Sequence, residues 1–334
     1  MGAKVLVTGA GGFIGDHLVS YLKSLGYWVR GADVKLPEFR QSIADEFLRR
    51  DLRRWENCVE ITSGIDEVYA LAADMGGMGF ISSHHAQILY SNSIINLQTL
   101  EAARLNGVKR YFYTSSACVY PEYRQTEAKV CPLKEEDVYP AQPQDAYGWE
   151  KLMTERLCTY YRQDYGLETR IARFHNIFGP LGTWNGGREK APAALCRKIA
   201  VAKVTGNPVI EIWGDGEQTR SFCYIDDCLE GIHRLMRSDY PEPLNLGQDR
   251  MVTINQLADI IADIAGVRVV KKHVPGPQGV RGRNSDNTLL RQVLSWEPRI
   301  SLEEGLSRTY EWIEQQVIAT DAGGGVGLGQ TSVA

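Results

Sequence analysis

The stretch "KVLVTGAGGFIGDHLVSYLKSLG", residues 4–26, decides the fold. It opens on a run of β-branched residues and leucine, closes on apolar residues at helical spacing, and sets Gly9, Gly12 and Gly15 at the joint. A strand that enters a helix through glycines lets backbone N–H groups approach a pyrophosphate at the helix N-terminus, where side chains would block contact. Phe13 and Ile14 open that helix and complete the segment expected to face a dinucleotide. The next strand, "WVRGAD", ends in Asp33, about 20 residues beyond the turn, where a carboxylate can bind both ribose hydroxyls. A 2′-phosphate would be repelled there, so the expected cofactor is NAD rather than NADP, with Arg30 and Lys35 weighing the other way. Asp51 in "RRDLRR" is placed to reach the adenine, or to be a solvated surface acid.

Outward from this turn, short apolar runs alternate with amphipathic segments up to about residue 175, the βαβ rhythm of a doubly wound parallel sheet. Beyond it the segments are shorter and richer in loops. The expected architecture is α/β: a Rossmann NAD-binding domain over 1–175 with a smaller α/β substrate-binding domain over 176–316. The tail, 317–334, is expected to be disordered, its glycine-rich stretch "GGGVGLGQTSVA" lacking side chains able to form a core.

Composition narrows the partners. With 334 residues and 43% hydrophobic content the chain can bury a large core. Lys and Arg total 37 against 41 Asp and Glu, a formal charge of -4, which gives no general attraction to nucleic acid or an anionic membrane. Seven cysteines form no CxxC pair, and no second Cys/His pair accompanies Cys223 and Cys228, so reduced thiols and no metal are expected. The N-terminus enters a strand without a signal-peptide pattern and no apolar run is long enough to span a bilayer, which points to the cytoplasm.

Tyr147 and Lys151 in "YGWEK" lie four apart on an expected helix and share a face. A tyrosine of pKa about 10 is a poor base near neutrality, but the lysine charge and an oxidised nicotinamide both favour its phenolate. That phenolate can take a hydroxyl proton while the same carbon gives up hydride. Together with the glycine turn and Ser116 ahead of a loop, the pair resembles the extended short-chain dehydrogenase/reductase family, whose members commonly modify nucleotide sugars. The resemblance implies that Ser116 hydrogen-bonds the reacting oxygen; capping the strand end is the alternative.

In that family the loop after the serine varies with the chemistry, and here it holds Ala117 and Cys118. Oxidation of a sugar at C4 makes the C3 and C5 hydrogens acidic, and a thiol of pKa about 8.5 suits their exchange. Lys190, after the "TWNGG" loop, is the candidate donor on the opposite ring face. The segments "LAADMGGMGFI", "SSACVYPE", "QDAYGWEKL", "RFHNIFGPLGTWNGGREKAPAA", "WGDGEQTRSF" and "GPQGVRGRNSDN" are together similar to one branch of the family, the epimerases that invert C5 and C3 of GDP-mannose. That resemblance implies redox at C4 by Tyr147 and Lys151, acid/base work by Cys118 and Lys190, and a homodimer. It implies substrate contacts from Gly76, Ser116, Asn176, Glu189, Lys198, Gln218, Arg220, Arg281 and Arg283. The product expected is GDP-L-galactose, or GDP-L-gulose if only C5 inverts; a net oxidoreductase and a non-catalytic dinucleotide sensor are the rivals. His175 is expected to be structural.

Overall fold

The computed structural model describes residues 3–322. Six strands and five helices alternate through the first half: β1 (Lys4–Thr8), α1 (Phe13–Ser24), β2 (Trp28–Asp33), β3 (Glu46–Arg49), α2 (Trp55–Thr62), β4 (Glu67–Ala70), α3 (Met78–Ile81), α4 (His85–Leu105), β5 (Arg110–Ser116), α5 (Ala146–Tyr165) and β6 (Glu168–Phe174). The second half adds β7 (Ile177–Phe178), α6 (Ala191–Thr205), β8 (Val209–Trp213), β9 (Thr219–Ser221), β10 (Cys223–Tyr224), α7 (Ile225–Arg237) and β11 (Pro243–Leu246). It closes with β12 (Met251–Thr253), α8 (Ile254–Ala265), β13 (Val270–Val274), β14 (Gly282–Arg283), α9 (Thr288–Leu294) and α10 (Leu302–Ala322).

Seven parallel strands form the main sheet in the order β11-β6-β5-β4-β1-β2-β3. In β1, Val5 and Val7 pack on one face and Leu6 on the other, all fully buried, as a parallel strand covered by helices on both sides requires. The strand order reverses between β1 and β4, and the crevice at such a switch point is where an open α/β sheet binds ligands. The glycine turn follows β1 there. Thr8 closes the junction, its Oγ1 accepting from the Leu71 and Ala72 amides at 3.1 Å each.

Two expectations of domain layout change. Strand β11 pairs with β6, so the main sheet takes its edge strand from beyond residue 175 and the division is not a single cut. Residues 317–322, assigned to the tail, continue α10 with Val317 fully buried, because this face packs against the core beside α6 and α8. The glycine-rich remainder of the tail lies outside the described residues. Three smaller sheets have the strand orders β10-β7, β12-β9-β14 and β13-β8. No helix among the described residues is long and apolar enough to cross a membrane.

Helix α5 starts where the Asp145 side chain accepts the Gly148 amide at 2.8 Å and ends at Gly166 in the left-handed conformation. Its position on the sheet is fixed by a buried polar lock. Glu155 on α5 pairs with Arg173 on β6 at 2.7 Å, both side chains 3% exposed, and accepts the Ser115 hydroxyl from β5. Arg173 is further satisfied by the Glu135 carbonyl at 2.8 Å. Replacing one partner of such a pair leaves the other charge buried alone, so Glu155→Ala is expected to lose about 3–5 kcal/mol of unfolding free energy in urea; a loss below about 1 kcal/mol would show that the lock does not hold the helix.

Candidate active site

The turn after β1 is a cradle that side chains would fill. Gly9 has φ 71°, and a Cβ there would stand 2.9 Å from the Ala72 nitrogen. A Cβ on Gly15 would run into the Gly9 carbonyl oxygen, and one on Gly11 into the Lys35 carbonyl oxygen. No side chain caps α1 at Gly12, so the first N–H groups of the helix, from Phe13 and Ile14 onward, are left for an anionic ligand. Asp33 ends β2 beside them, its carboxylate accepting from the Gly11 amide at 3.0 Å and the Lys35 amide at 3.1 Å. Burial pushes its carboxyl up and these amides oppose that. Arg30 is committed elsewhere, to Glu46 at 2.6 Å and to the Ile61 and Ser63 carbonyls. Asp51 follows β3 with its carboxylate folded onto Arg53 at 2.8 Å, which holds it below the usual carboxylate range.

Tyr147 sits in the first turn of α5, 6% exposed, and Lys151 lies one turn on with its Nζ 5.4 Å from the Tyr147 ring centroid. The ammonium donates to the Thr114 carbonyl at 3.0 Å, which points it at the end of β5. Burial drives the Tyr147 phenol well above its ordinary value, with Cys118 and Glu150 adding to the rise and the Ser116 hydroxyl opposing it. Ser116 stands at the phenol and its Oγ caps the next turn, accepting the Cys118 amide at 3.2 Å.

Cys118 is half-buried, against a cluster of Phe80, Ile81, Ile88 and Tyr147. The Arg283 Nη1 donates to its Sγ at 3.2 Å, and the Arg283 Nε donates to Gln125 Oε1 at 2.6 Å. Lys190 precedes α6, within charge range of Cys118, and burial lowers its ammonium pKa against the thiol's influence. Arg220 donates only to backbone carbonyls: Thr219 at 2.7 Å, Gln278 at 3.1 Å and Val280 at 2.7 Å. Burial first, and Arg283 second, push its guanidinium down to about 9. Neither Arg220 nor Arg283 has a carboxylate partner among the described residues. A buried cation beside a half-buried one, neither with a counter-ion among the described residues, is costly unless an anionic ligand completes them.

Other expected residues divide. Gln218 donates to the Trp213 carbonyl at 3.2 Å, and its buried Oε1 has no partner. Lys198 donates to the Glu211 carbonyl at 2.6 Å, its pKa lowered by burial. Asn176, at φ 45°, donates to the Ser221 carbonyl at 2.8 Å. Glu189 is paired with Arg197 at 2.9 Å, and Gly76 is buried against Phe80. Arg281 does not join the cation pair: Asp215 holds its guanidinium by two bonds of 2.8 and 2.9 Å at the surface. His175 is fully buried, bonded to Asn245 Oδ1 at 2.9 Å, and burial pushes it down to about 3, a neutral structural ring.

Sequence reasoning missed three residues. Gly11 ties Asp33 to the turn and was visible inside "GAGG". Gly148 stands where a Cβ would run into the Cys118 carbonyl oxygen, and a glycine opening a helix was its signal. Gln125 orients Arg283 across 158 positions of chain, which no local pattern marks.

A family model, the NAD dependent epimerase/dehydratase family, matches residues 5–247. The chain belongs to that family. As a member it uses NAD, which agrees with the glycine cradle and the Asp33 carboxylate. Among curated relatives, the GDP-mannose 3,5-epimerase of Arabidopsis thaliana is 53% identical over 94% of this chain and 83% of its own length. GDP-mannose 3,5-epimerase 1 of Oryza sativa subsp. japonica is 54% identical over 94% and 82%. Among solved structures, UDP-glucose 4-epimerase of Thermotoga maritima with UDP-glucose has a TM-score of 0.84 at 30% identity, covering 94% of this chain and 99% of the other. UDP-glucuronic acid 4-epimerase of Bacillus cereus with UDP-glucuronic acid and NAD has a TM-score of 0.79 at 27% identity, over 94% and 99%.

The contrast between the two neighbouring arginines is testable by calorimetry with GDP. Arg283→Gln removes a charge-assisted contact to an anion and is expected to weaken binding by about tenfold or more, whereas Arg281→Gln should stay within about twofold. Equal losses in the two variants would contradict the cation pair as the anion site.

Proposed function

We propose that this family member converts GDP-mannose to GDP-L-galactose, oxidising C4 of the sugar, inverting C5 and then C3 through enolates, and reducing C4 again. The observation that carries the reading is the half-buried Cys118 thiol, packed on Tyr147 and within charge range of Lys190. Exchange at C4 alone needs only the redox pair. Protons on the carbons beside a ketone need their own acid and base, and these two groups supply them. The identity of 53–54% to GDP-mannose 3,5-epimerases supports the same substrate.

Bound NAD supplies a reversible acceptor for the hydrogen on C4. Tyr147 accepts the O4 proton. Burial raises its phenol pKa, so the step needs a charge that favours the phenolate, and the nearby Lys151 ammonium, held by the Thr114 carbonyl, supplies it. Ser116 donates to O4 and keeps it at the phenol. With C4 a ketone, the Cys118 thiolate takes the proton from C5 as the electrons move into an enolate, and the Lys190 ammonium gives a proton on the opposite face; after solvent has taken the proton from the thiol and restored one to the lysine, the same exchange follows at C3. A lysine with its pKa lowered by burial gives up a proton more readily near neutrality. Tyr147 finally returns its proton to O4, so the reaction is a net isomerisation.

Arg220 and Arg283 bind the diphosphate, and the unpartnered Gln218 Oε1 accepts from the ligand. Gly76, Asn176, Glu189 and Lys198 line the remainder of the substrate in this reading, while Phe13, Ile14 and the glycine turn face NAD with Asp33 on the ribose and Asp51 at the adenine. The reading includes a cytoplasmic homodimer. The free state of all seven cysteines supports the compartment. Apolar side chains exposed on the packed helices α4 and α5, among them Tyr90, Leu97, Trp149 and Met153, support a second copy, whose presence sedimentation velocity reads directly.

Two variants separate the steps. Tyr147→Phe should abolish turnover with GDP-mannose binding kept within about tenfold, since a hydroxyl alone is lost. Cys118→Ala should still yield a 4-keto sugar trapped by borodeuteride, yet lose epimerisation by about 10²-fold or more, the usual contribution of a placed acid/base group. Near-normal epimerisation by Cys118→Ala would reduce the thiol to a packing group.

A further inference from the structure

Lys190 immediately precedes α6, yet what fixes it lies in the other half of the chain. The segment Asp74–Phe80 grips the two residues before it in four ways. The Gly77 amide donates to the Arg188 carbonyl at 3.0 Å. The Arg188 Nη1 lies 3.2 Å from Asp74 Oδ1, and its guanidinium lies 3.9 Å from the Phe80 ring centroid. A Cβ on Gly77 would stand 2.5 Å from the Glu189 carbonyl oxygen, so the two backbones meet only because residue 77 is glycine. Gly77 has φ -69°, which any residue adopts, so space alone excludes a side chain.

The same segment is itself anchored. Asn92 on α4 accepts the Asp74 amide at 2.7 Å and donates to the Asp74 carbonyl at 3.2 Å, while Gln87 donates to Asp74 Oδ2 at 2.8 Å. Its other side meets the redox centre: Met75, Phe80 and Cys118 belong to one apolar cluster with Tyr147. One short segment therefore touches the thiol on one flank and the approach to Lys190 on the other.

We propose that Asp74–Phe80 is the positioning element for the proton-exchanging pair, with Gly77 and the Asp74–Arg188 contact setting the Lys190 ammonium across the substrate from Cys118. The proposal rests on the function stated above and adds residues that act through Lys190 without touching reacting atoms. A displacement of about 1 Å at a reacting group can cost about 10²-fold. An added methyl at position 77 forces a displacement of that order between Glu189 and the segment.

The test compares Gly77→Ala with Gly79→Ala, whose Cβ would meet Trp213 at an ordinary 3.6 Å. With GDP-mannose in deuterium oxide, Gly77→Ala is expected to lower inversion at C5 by about 10–100-fold while trapping of the 4-keto sugar and NAD content stay as in wild type. Gly79→Ala should match wild type in all three. Labelling of Lys190 by trinitrobenzenesulfonate, read by peptide mass spectrometry, should change several-fold in Gly77→Ala only; this measurement needs no substrate. Asp74→Asn and Arg188→Gln should each lower inversion by up to about fivefold, the scale of a partly exposed ion pair, and the double variant should be no worse than either alone. Wild-type behaviour of Gly77→Ala in both inversion and Lys190 labelling would overturn the proposal, as would fully additive losses for the Asp74–Arg188 pair should Gly77→Ala fail to fold. Failure of the wild type to act on GDP-mannose would instead overturn the function, leaving the labelling comparison to decide the positioning claim.

Discussion

Helix α5 meets the loop after β5 backbone to backbone, and the rest of the site depends on that contact. The Cys118 carbonyl occupies the space where residue 148 would carry a Cβ, so only glycine allows the approach. It brings Tyr147, Ser116 and Cys118 together although the first lies on a helix and the others at a strand end. Once α5 is seated, Lys151 one turn further reaches the Thr114 carbonyl, and the Glu155–Arg173 pair with Ser115 holds the far side of the helix to β5 and β6. The proposed proton acceptor at O4 and the proposed proton-exchanging thiol thus share one mount.

Charge completes what packing begins. Arg283 is buried and Arg220 half-buried, burial first and Arg283 second disfavour the charge on Arg220, and the contacts that hold the two are carbonyls, a glutamine and a thiol. Such an arrangement is stabilised by an anion arriving from outside. Arg281, two residues from Arg283, shows the opposite case: paired with Asp215, it has little to offer a ligand. In the proposed reading, binding energy at the diphosphate is remote from the reacting carbons and can be used to hold the sugar ring between Cys118 and Lys190.

Much of this was legible in the chain because the constraints are local. Gly9, Gly12 and Gly15 with Asp33 mark the cradle within one βαβ unit, and Tyr147 and Lys151 mark a helix face by spacing alone. The cap resisted reading for the opposite reason. Strand β11 joins the main sheet from far along the chain, and Gln125, Asp74 and Gly77 act on residues more than a hundred positions away, where no periodicity carries the signal. The tail boundary at 317 fell short because the apolar spacing of α10 keeps Val317 in the core. Arg281 was grouped with Arg283 because sequence shows charges without their partners.

The central claim is that one site performs redox at C4 and proton exchange at C5 and C3. NMR of the product formed from unlabelled GDP-mannose by the wild-type protein in deuterium oxide tests it most directly. The account predicts solvent deuterium at C5 and at C3, with C4 keeping its original hydrogen. Deuterium confined to C4, or absent from the sugar while the product accumulates, would contradict it.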